Sequence, residues 1–215
     1  MQVIGIIGAG HIGSNIAELA VRHGHTVVLS NSRGPESLAG LVDRLGARAR
    51  AGTREDVARS SDIIFVATPW SALDTLPVSS LAGKIVVDVN NYSPQRDGVI
   101  AELIDESTTS SELLAKKLPT SRVIKAFNHI YAPQLNTDNK ANGEPERRAL
   151  AVFGDDPKAR GEVAALIDTW GFDPLDAGEL AEGWRLQRDT PGWDVYDTAP
   201  ELAAHLSQAR RRHAM

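Results

Sequence analysis

Three glycines near the start of the chain have the spacing of a dinucleotide-binding loop. Gly8, Gly10 and Gly13 form G-x-G-x-x-G between an apolar run, QVIGIIG, and an amphipathic stretch that begins at His11. In such a loop the first glycine permits a tight turn, the second lets a pyrophosphate approach the backbone, and the third lets helix and strand pack closely. The N–H groups at the helix N-terminus then favour the phosphates. The motif predicts dinucleotide binding, with a purely structural glycine turn as the alternative.

The second predicted strand, HTVVLS, ends where this fold usually places the residue that selects the nicotinamide cofactor. Asn31, 18 residues after Gly13, occupies about that position, and Ser32 and Arg33 follow it. A carboxylate there would accept from the ribose 2′-hydroxyl of NAD and repel a 2′-phosphate. Serine and arginine can instead donate to that phosphate, and arginine can donate two hydrogen bonds. We therefore predict NADP(H) as the cofactor, with an ordinary surface arginine in a βα turn as the alternative.

The ends of three later strands should line the same crevice, because ligands of open α/β sheets bind outside the carboxyl ends of the strands. ATPW is predicted to lie beside the adenosine or pyrophosphate, DVNNY beside the nicotinamide, and AFNHI beside the nicotinamide or its redox partner. The structural alternatives are a core tryptophan, a plain asparagine turn and a satisfied, partly buried histidine. The candidates are Thr68, Pro69, Trp70 and Asn90 for the cofactor, and Asn128 and His129 for catalysis.

Strand and helix patterns alternate along the chain and set the positions of these loops. Short β-branched runs predict buried strands, and longer runs with apolar residues at helical spacing predict helices between them. The alternation predicts a Rossmann-type, doubly wound α/β fold with a mainly parallel sheet and helices on both faces. Predicted strands cover residues 2–8, 25–30, 62–68, 84–90, 122–130, 149–154 and 172–178, and predicted helices cover 11–24, 34–46, 53–61, 109–119, 156–171 and 199–212.

The chain is interpreted as one main domain with a short extension. Residues 1–180 form the predicted NADP-binding Rossmann domain, including the acceptor site. Residues 181–215 form a C-terminal extension that packs on this domain or on a partner subunit. A further helical domain does not fit in the 39 residues (215 minus 176) that follow the last predicted strand. Residues 136–148, NTDNKANGEPERR, are polar and contain glycine and proline, so an exposed loop is predicted there.

The bulk composition limits the classes of function. The chain has 215 residues, 42% of them hydrophobic and 24% charged, and a net charge of −5. The negative charge argues against nucleic-acid binding, and no apolar run approaches the roughly 18 residues that a membrane span needs. The chain has no cysteine, which excludes disulfides, thiolate metal sites and cysteine nucleophiles. No signal-peptide pattern is found, so the expected compartment is the cytoplasm.

Several catalytic signatures are missing from the sequence. No tyrosine is followed four residues later by lysine, and neither H-x-x-x-H nor G-x-S-x-G occurs. No evident group of side chains for proton transfer is therefore found, and no catalytic metal is expected. This suits hydride exchange with another redox cofactor, for which stacking of two rings can suffice.

The chain resembles the F420-dependent NADP oxidoreductases, which move hydride between NADPH and the deazaflavin coenzyme F420. The resemblance runs through IGIIGAGHIGSNIAELAVRHGH, LSNSRGPES, ATPWSALDT, RVIKAFNHI and VFGDDPKARGEVAALIDTWGFDPLDAGELAEG. It implies a homodimer, with the deazaflavin against the nicotinamide near the strand ends that carry Pro69, Asn90, Asn128 and His129. It also implies that NADP is held by Gly8, Ala9, Gly10, His11, Ile12, Gly13, Ser32 and Arg33.

These observations predict an oxidoreductase that transfers hydride between NADPH and coenzyme F420 or a similar redox acceptor. Two alternatives stay open at this point. One is an NADPH-dependent reductase of a flavin, quinone or small carbonyl substrate. The other is a non-enzymatic NADP(H)-sensing protein that binds a partner protein through its C-terminal segment.

Overall fold

The computed structural model describes residues 2–211, which contain eight strands. They are β1 (Val3–Ile7), β2 (Thr26–Ser30), β3 (Ala49–Ala51), β4 (Ile63–Val66), β5 (Ile85–Asp88), β6 (Arg122–Lys125), β7 (Ala149–Gly154) and β8 (Asp173–Asp176). They form one sheet in the order β3-β2-β1-β4-β5-β6-β7-β8. Neighbouring strands run parallel except β6 and β7, which are antiparallel. The predicted doubly wound, mainly parallel sheet is confirmed.

Helices cover both faces of this sheet. Within residues 2–211 they are α1 (His11–Arg22), α2 (Ala39–Leu45), α3 (Arg54–Ser60), α4 (Val78–Leu81), α5 (Pro94–Asp97), α6 (Ala101–Ile104), α7 (Ser110–Lys117), α8 (Gln134–Thr137), α9 (Pro157–Thr169) and α10 (Ala199–Gln208). Single 3-10 segments span Pro35–Leu38, Trp70–Thr75 and Leu180–Leu186. One apolar cluster joins the sheet to α1, α2 and α9, and a second joins it to α3, α4 and α7. Burial on both faces explains the continuous apolar runs of the central strands.

Three aromatic rings pack together within the larger of these clusters. Phe65 of β4 stacks on Trp170, with 5.8 Å between the ring centroids. Phe127 lies 5.6 Å from Phe65 and 5.8 Å from Trp170. All three rings are fully buried, and each such pair adds about 0.5–1.5 kcal/mol beyond the area it buries. The group joins the end of α9 to the first residues after β6.

Two strand predictions differ from the structure. The sequence pattern does not reveal β3, because this strand is only three residues long and its central arginine is exposed. The strand predicted over residues 122–130 ends at Lys125. Phe127 adopts a φ of 60°, which is incompatible with a β-strand. The residues AFNHI therefore lie in a loop at the end of β6.

The predicted exposed loop at residues 136–148 is wrong at its C-terminal end. Residues 141–146 are exposed, but Arg147 and Arg148 are 6% and 0% exposed. Arg147 forms ion pairs with Asp168 and Asp173 at 2.9 and 2.8 Å, and Arg148 forms one with Asp138 at 2.8 Å. These carboxylates compensate the charge of the two guanidinium groups, which is the condition for burying an arginine.

The chain returns to the sheet after β8. Leu186, Leu202 and Leu206 form an apolar cluster with residues of β7. The predicted helix near residues 199–212 is α10, and residue 212 lies outside the described range. The division into a domain at 1–180 and an extension at 181–215 stays a prediction. No helix of residues 2–211 is long and apolar enough to cross a membrane.

Candidate functional site

The glycine loop connects β1 to α1, and its three glycines meet different surroundings. Gly8 has a φ of 108°, and a Cβ there would lie 2.2 Å from the carbonyl oxygen of Ala67. A Cβ on Gly13 would lie 2.0 Å from the carbonyl oxygen of Gly8. A Cβ on Gly10 would meet no heavy atom of residues 2–211 within 4 Å, and Gly10 is exposed. Packing within the protein therefore requires Gly8 and Gly13, whereas the space beside Gly10 suits a ligand.

Within the described part of the chain, the N-terminus of α1 lacks the side-chain cap that three other helices begin with. Thr53, Thr109 and Thr198 cap α3, α7 and α10 through capping boxes. In α1, among the described residues, no side chain caps the N-terminus at Gly10 and no acidic residue lies in the first turn. The first N–H groups of α1 and the positive end of its dipole are thus available to an anion. This arrangement fits the pyrophosphate of a dinucleotide.

The turn after β2 presents Ser32 and Arg33 to solvent. The Oδ1 atom of Asn31 accepts a hydrogen bond from the backbone N–H of Arg33 at 3.0 Å, and its Nδ2 atom donates to Ser37 Oγ at 2.8 Å. Asn31 therefore shapes the turn. Ser32 and Arg33 are exposed, and within residues 2–211 the Arg33 guanidinium makes no hydrogen bond or ion pair. Contact of Asn31, Ser32 and Arg33 with NADP stays a prediction.

A pocket of about 410 Å³ lies beside this turn and contains an arginine that the sequence analysis missed. Asn31, Ser32 and Gly34 line it together with Thr53 and Arg54. Arg54 begins α3, three residues after the end of β3, and β3 pairs in parallel with β2. The two strand ends are thus neighbours at the same edge of the sheet. Recognition of β3 in the sequence would have indicated Arg54.

The ATPW segment after β4 contributes mainly to packing. Trp70 is 8% exposed, belongs to the second apolar cluster and meets Tyr92 edge-on at 6.3 Å between ring centroids. Thr68 is buried, Pro69 is exposed, and Ala67 just before them lines the main cleft. The structure gives Trp70 the core position that was the alternative to cofactor contact. The cofactor contacts of Thr68, Pro69 and Trp70 stay predictions.

The main cleft has a volume of about 460 Å³ and lies at the carboxyl ends of β1, β4, β5 and β6. The start of α1 contributes Gly10, His11 and Ile12. The strand ends contribute Ala67 after β4, Val89 after β5, and Phe127 and His129 after β6. We call the remaining lining the distal wall, which consists of Ile130, Tyr131, Ala132, Pro133, Trp193 and Asp194. The cleft thus joins the glycine loop to residues more than a hundred positions away.

A buried ion pair fixes the ends of β5 and β6 next to this cleft. Asp88 and Lys125 are direct partners in the strand register and are 1% and 4% exposed. The Lys125 Nζ atom lies 3.2 Å from Asp88 Oδ2 and also donates to the backbone carbonyl of Asn90. Asp88 accepts from Ser111 Oγ at 2.7 Å and from the Asn90 N–H at 3.0 Å. The half-buried Asn90 is therefore held through its backbone, and its contact with nicotinamide stays a prediction.

Asn128 and His129 face different surroundings although they are adjacent. Asn128 lines a smaller cavity of about 60 Å³, together with Lys125, and donates to the Leu186 carbonyl at 2.8 Å. Phe127 and His129 line the main cleft. The two adjacent catalytic candidates thus line different cavities. Contact of Asn128 with the nicotinamide or its partner stays a prediction.

His129 is neutral and has a defined tautomer. It is 1% exposed, and its Nε2 atom accepts a hydrogen bond from the Ala151 N–H at 3.2 Å. Burial, with a smaller effect of the Arg148 charge, lowers the pKa of His129 to about 3. Since Nε2 is the acceptor, the proton of the neutral ring lies on Nδ1. His129 therefore cannot serve as an imidazolium acid near neutral pH, and its catalytic role stays a prediction.

Phe127 carries backbone strain at the edge of the cleft. Its φ of 60° is unusual for a bulky residue, although the side chain is completely buried against Phe65 and Trp170. Such a conformation costs on the order of 1–3 kcal/mol and persists only where the surroundings enforce it. Packing of the Phe127 ring against Phe65 and Trp170 holds the backbone in this conformation. The residues that follow then continue into the distal wall.

The loop, the open α1 N-terminus and the cleft at the strand ends define a Rossmann-type fold with the features of a dinucleotide site. The family model described as NADP oxidoreductase, coenzyme F420-dependent, matches residues 3–92. The chain belongs to this family, and its general activity is NAD(P)-dependent oxidoreduction.

Similar proteins extend this comparison over the rest of the chain. A crystal structure of the hypothetical protein SMa0349 from Sinorhizobium meliloti is 31% identical, with a TM-score of 0.78, and the match covers 91% of this chain and 94% of that one. A protein from Arthrobacter sp. FB24, proposed to be an F420-dependent NADP reductase, is 23% identical with a TM-score of 0.70, covering 85% and 87% of the two chains. The protein YjhV of Escherichia coli K12 is 43% identical over 51 residues, which are 24% of this chain and 37% of YjhV.

Proposed function

We propose that this protein transfers hydride between NADPH and coenzyme F420 or a similar conjugated redox acceptor. The observation that carries the proposal is the cleft of about 460 Å³ that joins Gly10, His11 and Ile12 to the distal wall. The α1 side of the cleft fits the cofactor because its helix N-terminus is open. The distal wall, which contains Tyr131 and Trp193, is then available for a second ligand.

The chain supplies positioning and an apolar environment for this reaction. When bound, the reduced cofactor supplies a hydride and becomes NADP⁺, while the acceptor gains that hydrogen with two electrons and then a proton from solvent. Hydride transfer needs the reacting atoms within about 3–3.5 Å, so orientation of the two rings is the main task of the protein. Ala67, Val89 and Phe127 surround this region with apolar groups that limit access of water.

The turn after β2, where the adenosine of the cofactor would lie, supports a preference for NADP(H). Ser32 and Arg33 point outward after β2, and Arg54 lines the adjacent pocket from the start of α3. Two guanidinium groups near one pocket fit the 2′-phosphate that distinguishes NADP from NAD. We propose that Arg33 and Arg54 bind this phosphate together, with Ser32 as an additional donor.

Reduction of a small carbonyl compound is the second candidate. Tyr131 lines the distal wall, and its hydroxyl group could give a proton to the alkoxide that forms when a carbonyl accepts hydride. A conjugated ring needs no such donor, because the added charge is delocalised. The Tyr131→Phe variant should lose carbonyl reduction but keep reduction of ring acceptors.

The proposed function is tested by NADPH oxidation against a panel of acceptors. The panel contains coenzyme F420, FMN, riboflavin, a quinone and small aldehydes, each followed by absorbance with NADPH and with NADH. We expect turnover with at least one conjugated ring and a higher rate with NADPH. Tight NADPH binding without turnover on any acceptor would instead identify a non-enzymatic NADP(H)-sensing protein.

A further inference from the structure

Two segments far apart in the sequence build the distal wall. Ile130–Pro133 follow β6, whereas Trp193 and Asp194 lie between the last 3-10 segment and α10. About sixty residues separate the two segments along the chain. The wall therefore exists only because the C-terminal segment is held against the loop after β6.

The buried guanidinium of Arg148 connects these two segments. Its Nη2 atom donates to the carbonyl of His129 at 3.4 Å and to the carbonyl of Val195 at 3.1 Å. Its Nη1 atom donates to Asp138 at 2.8 Å, and its guanidinium lies 5.6 Å from the centre of the Tyr196 ring. One fully buried cation thus bonds to the residue before Ile130 and to the residue after Asp194.

The side chains of the distal wall are mainly aromatic and apolar, and one of them is negatively charged. Tyr131 is 64% exposed, Trp193 is half-buried, and Ile130, Ala132 and Pro133 add apolar surface. Asp194 is exposed, and the lining of the cleft within the described chain contains neither lysine nor arginine. A planar conjugated ring fits this surface, since aromatic faces stack on it without requiring charge. An anionic substituent of the ring is disfavoured beside Asp194.

We propose that Tyr131 and Trp193 bind the ring of a flavin- or deazaflavin-type acceptor, and that Arg148 is the positioning residue that assembles this site. The inference rests on the proposed function and specifies its acceptor site. Charged tails of the acceptor extend away from Asp194 into solvent. The C-terminal segment is thereby part of the active site.

The test measures binding of the ring separately from turnover. Riboflavin and coenzyme F420 are titrated into the NADP⁺-loaded protein, and quenching of their fluorescence reports stacking on an aromatic side chain. Trp193→Ala should weaken ring binding roughly tenfold, whereas Trp193→Phe should retain most of it. The dissociation constant for NADPH should change less than about twofold in either variant.

Trp184→Ala is the matched control. Trp184 lies in the same extension but lines the smaller cavity, where it packs against Arg185 and Arg211. This variant should leave ring binding unchanged. Equal losses in Trp184→Ala and Trp193→Ala would overturn the assignment of the acceptor site.

Arg148 is tested by a pair of substitutions. Arg148→Met should raise the KM for the ring acceptor and leave the dissociation constant for NADPH unchanged, and Arg148→Lys should restore part of the loss. Should Arg148→Met not fold, the Trp193→Ala and Trp193→Phe variants still decide the proposal. A parallel loss of NADPH and acceptor binding in a folded Arg148→Lys protein would contradict the positioning role.

The effect of the Asp194 charge on the acceptor is tested by a separate measurement. Riboflavin and FMN share a ring and differ by a phosphate, so riboflavin should bind about threefold more tightly and Asp194→Asn should remove the difference. Tighter binding of FMN would show that the tail is recognised by positive charge. A wild-type protein that binds NADPH but neither ring refutes this inference alone, whereas failure to bind NADPH refutes the proposed function.

Discussion

The two halves of the cleft are built by different kinds of contact. The cofactor half is a continuous strand, loop and helix, in which Gly8–Gly10 connect β1 directly to α1. The distal half combines the ends of β5 and β6 with Trp193 and Asp194, and buried ionic groups hold these parts together. A local motif can lose its ligand contacts without unfolding. A site assembled from distant segments depends on the contacts that also hold the fold together.

The largest expected effect tests the distal half. Lys125→Met leaves Asp88 buried without its cation, and breaking such a pair costs about 3–5 kcal/mol of the free energy of unfolding. Lys117→Met is the control, because Lys117 pairs with Asp74 at the surface and should cost less than about 1 kcal/mol. Urea denaturation measures the free energy of unfolding of both variants. The double variant Asp88→Asn/Lys125→Met should recover part of the loss, and a cost as small as that of Lys117→Met would contradict the structural importance of this pair.

The next effect tests the cofactor half. Gly10→Val should weaken NADPH binding at least about a hundredfold, because the side chain occupies the space that suits the pyrophosphate. The free energy of unfolding should change by no more than about 1 kcal/mol, since a Cβ there meets no described atom within 4 Å. Gly40→Val, at another open position, should leave affinity intact. Unchanged NADPH affinity in folded Gly10→Val would refute the dinucleotide site.

The third prediction concerns pH and again involves the distal half. The pKa of His129 is about 3 in the folded protein, against 6.5 for an ordinary histidine, so only the unfolded chain takes up this proton between these values. The contribution of His129 to the free energy of unfolding is therefore fully present above about pH 6.5, and it decreases as the pH falls towards 3. The loss between pH 7 and pH 5 should be about 2 kcal/mol.

The control for this prediction is His129→Gln, which removes the titrating ring. Its free energy of unfolding should depend less on pH between 7 and 5 than that of the wild type. Some dependence should remain, because burial also lowers the pKa of His25. Parallel pH profiles of the two proteins would show that His129 is protonated equally in the folded and unfolded chains.

The smallest expected effect refines the cofactor half. Arg33→Ala or Arg54→Ala should each lower the preference for NADPH over NADH about tenfold, and Asn31→Asp/Arg33→Ala should reverse it. Higher salt should weaken NADPH binding more than NADH binding, because ions screen the phosphate contact. Dissociation constants at two salt concentrations provide the measurement, with Arg44→Ala as the control. Wild-type affinities within about twofold of each other would exclude a 2′-phosphate site.

The sequence predicted the cofactor half more completely than the distal half, and the reason is physical. Gly8, Gly10 and Gly13 are placed by local spacing, and the alternation of strands and helices determined most of the sheet. Arg54 was missed because β3 is too short to give a pattern. Arg148 was missed because its polar neighbours in the sequence indicate a loop, whereas its burial depends on partners such as Asp138 and Val195. Tertiary contacts of this kind leave no local signal.

The reversed direction of β7 has a consequence for how this protein can vary between species. Because β7 runs opposite to β6, Arg148 stands at the beginning of a strand, yet it lies at the edge where β6 ends. The backbone pairing of β7 holds that position, and the exposed stretch 141–146 before it carries no part of the cleft. The free-energy cost of closing a loop increases only slowly with its length. Insertions at 141–146 should therefore leave Arg148 in place. Relatives can therefore differ in length there while the architecture of the cleft is inherited unchanged.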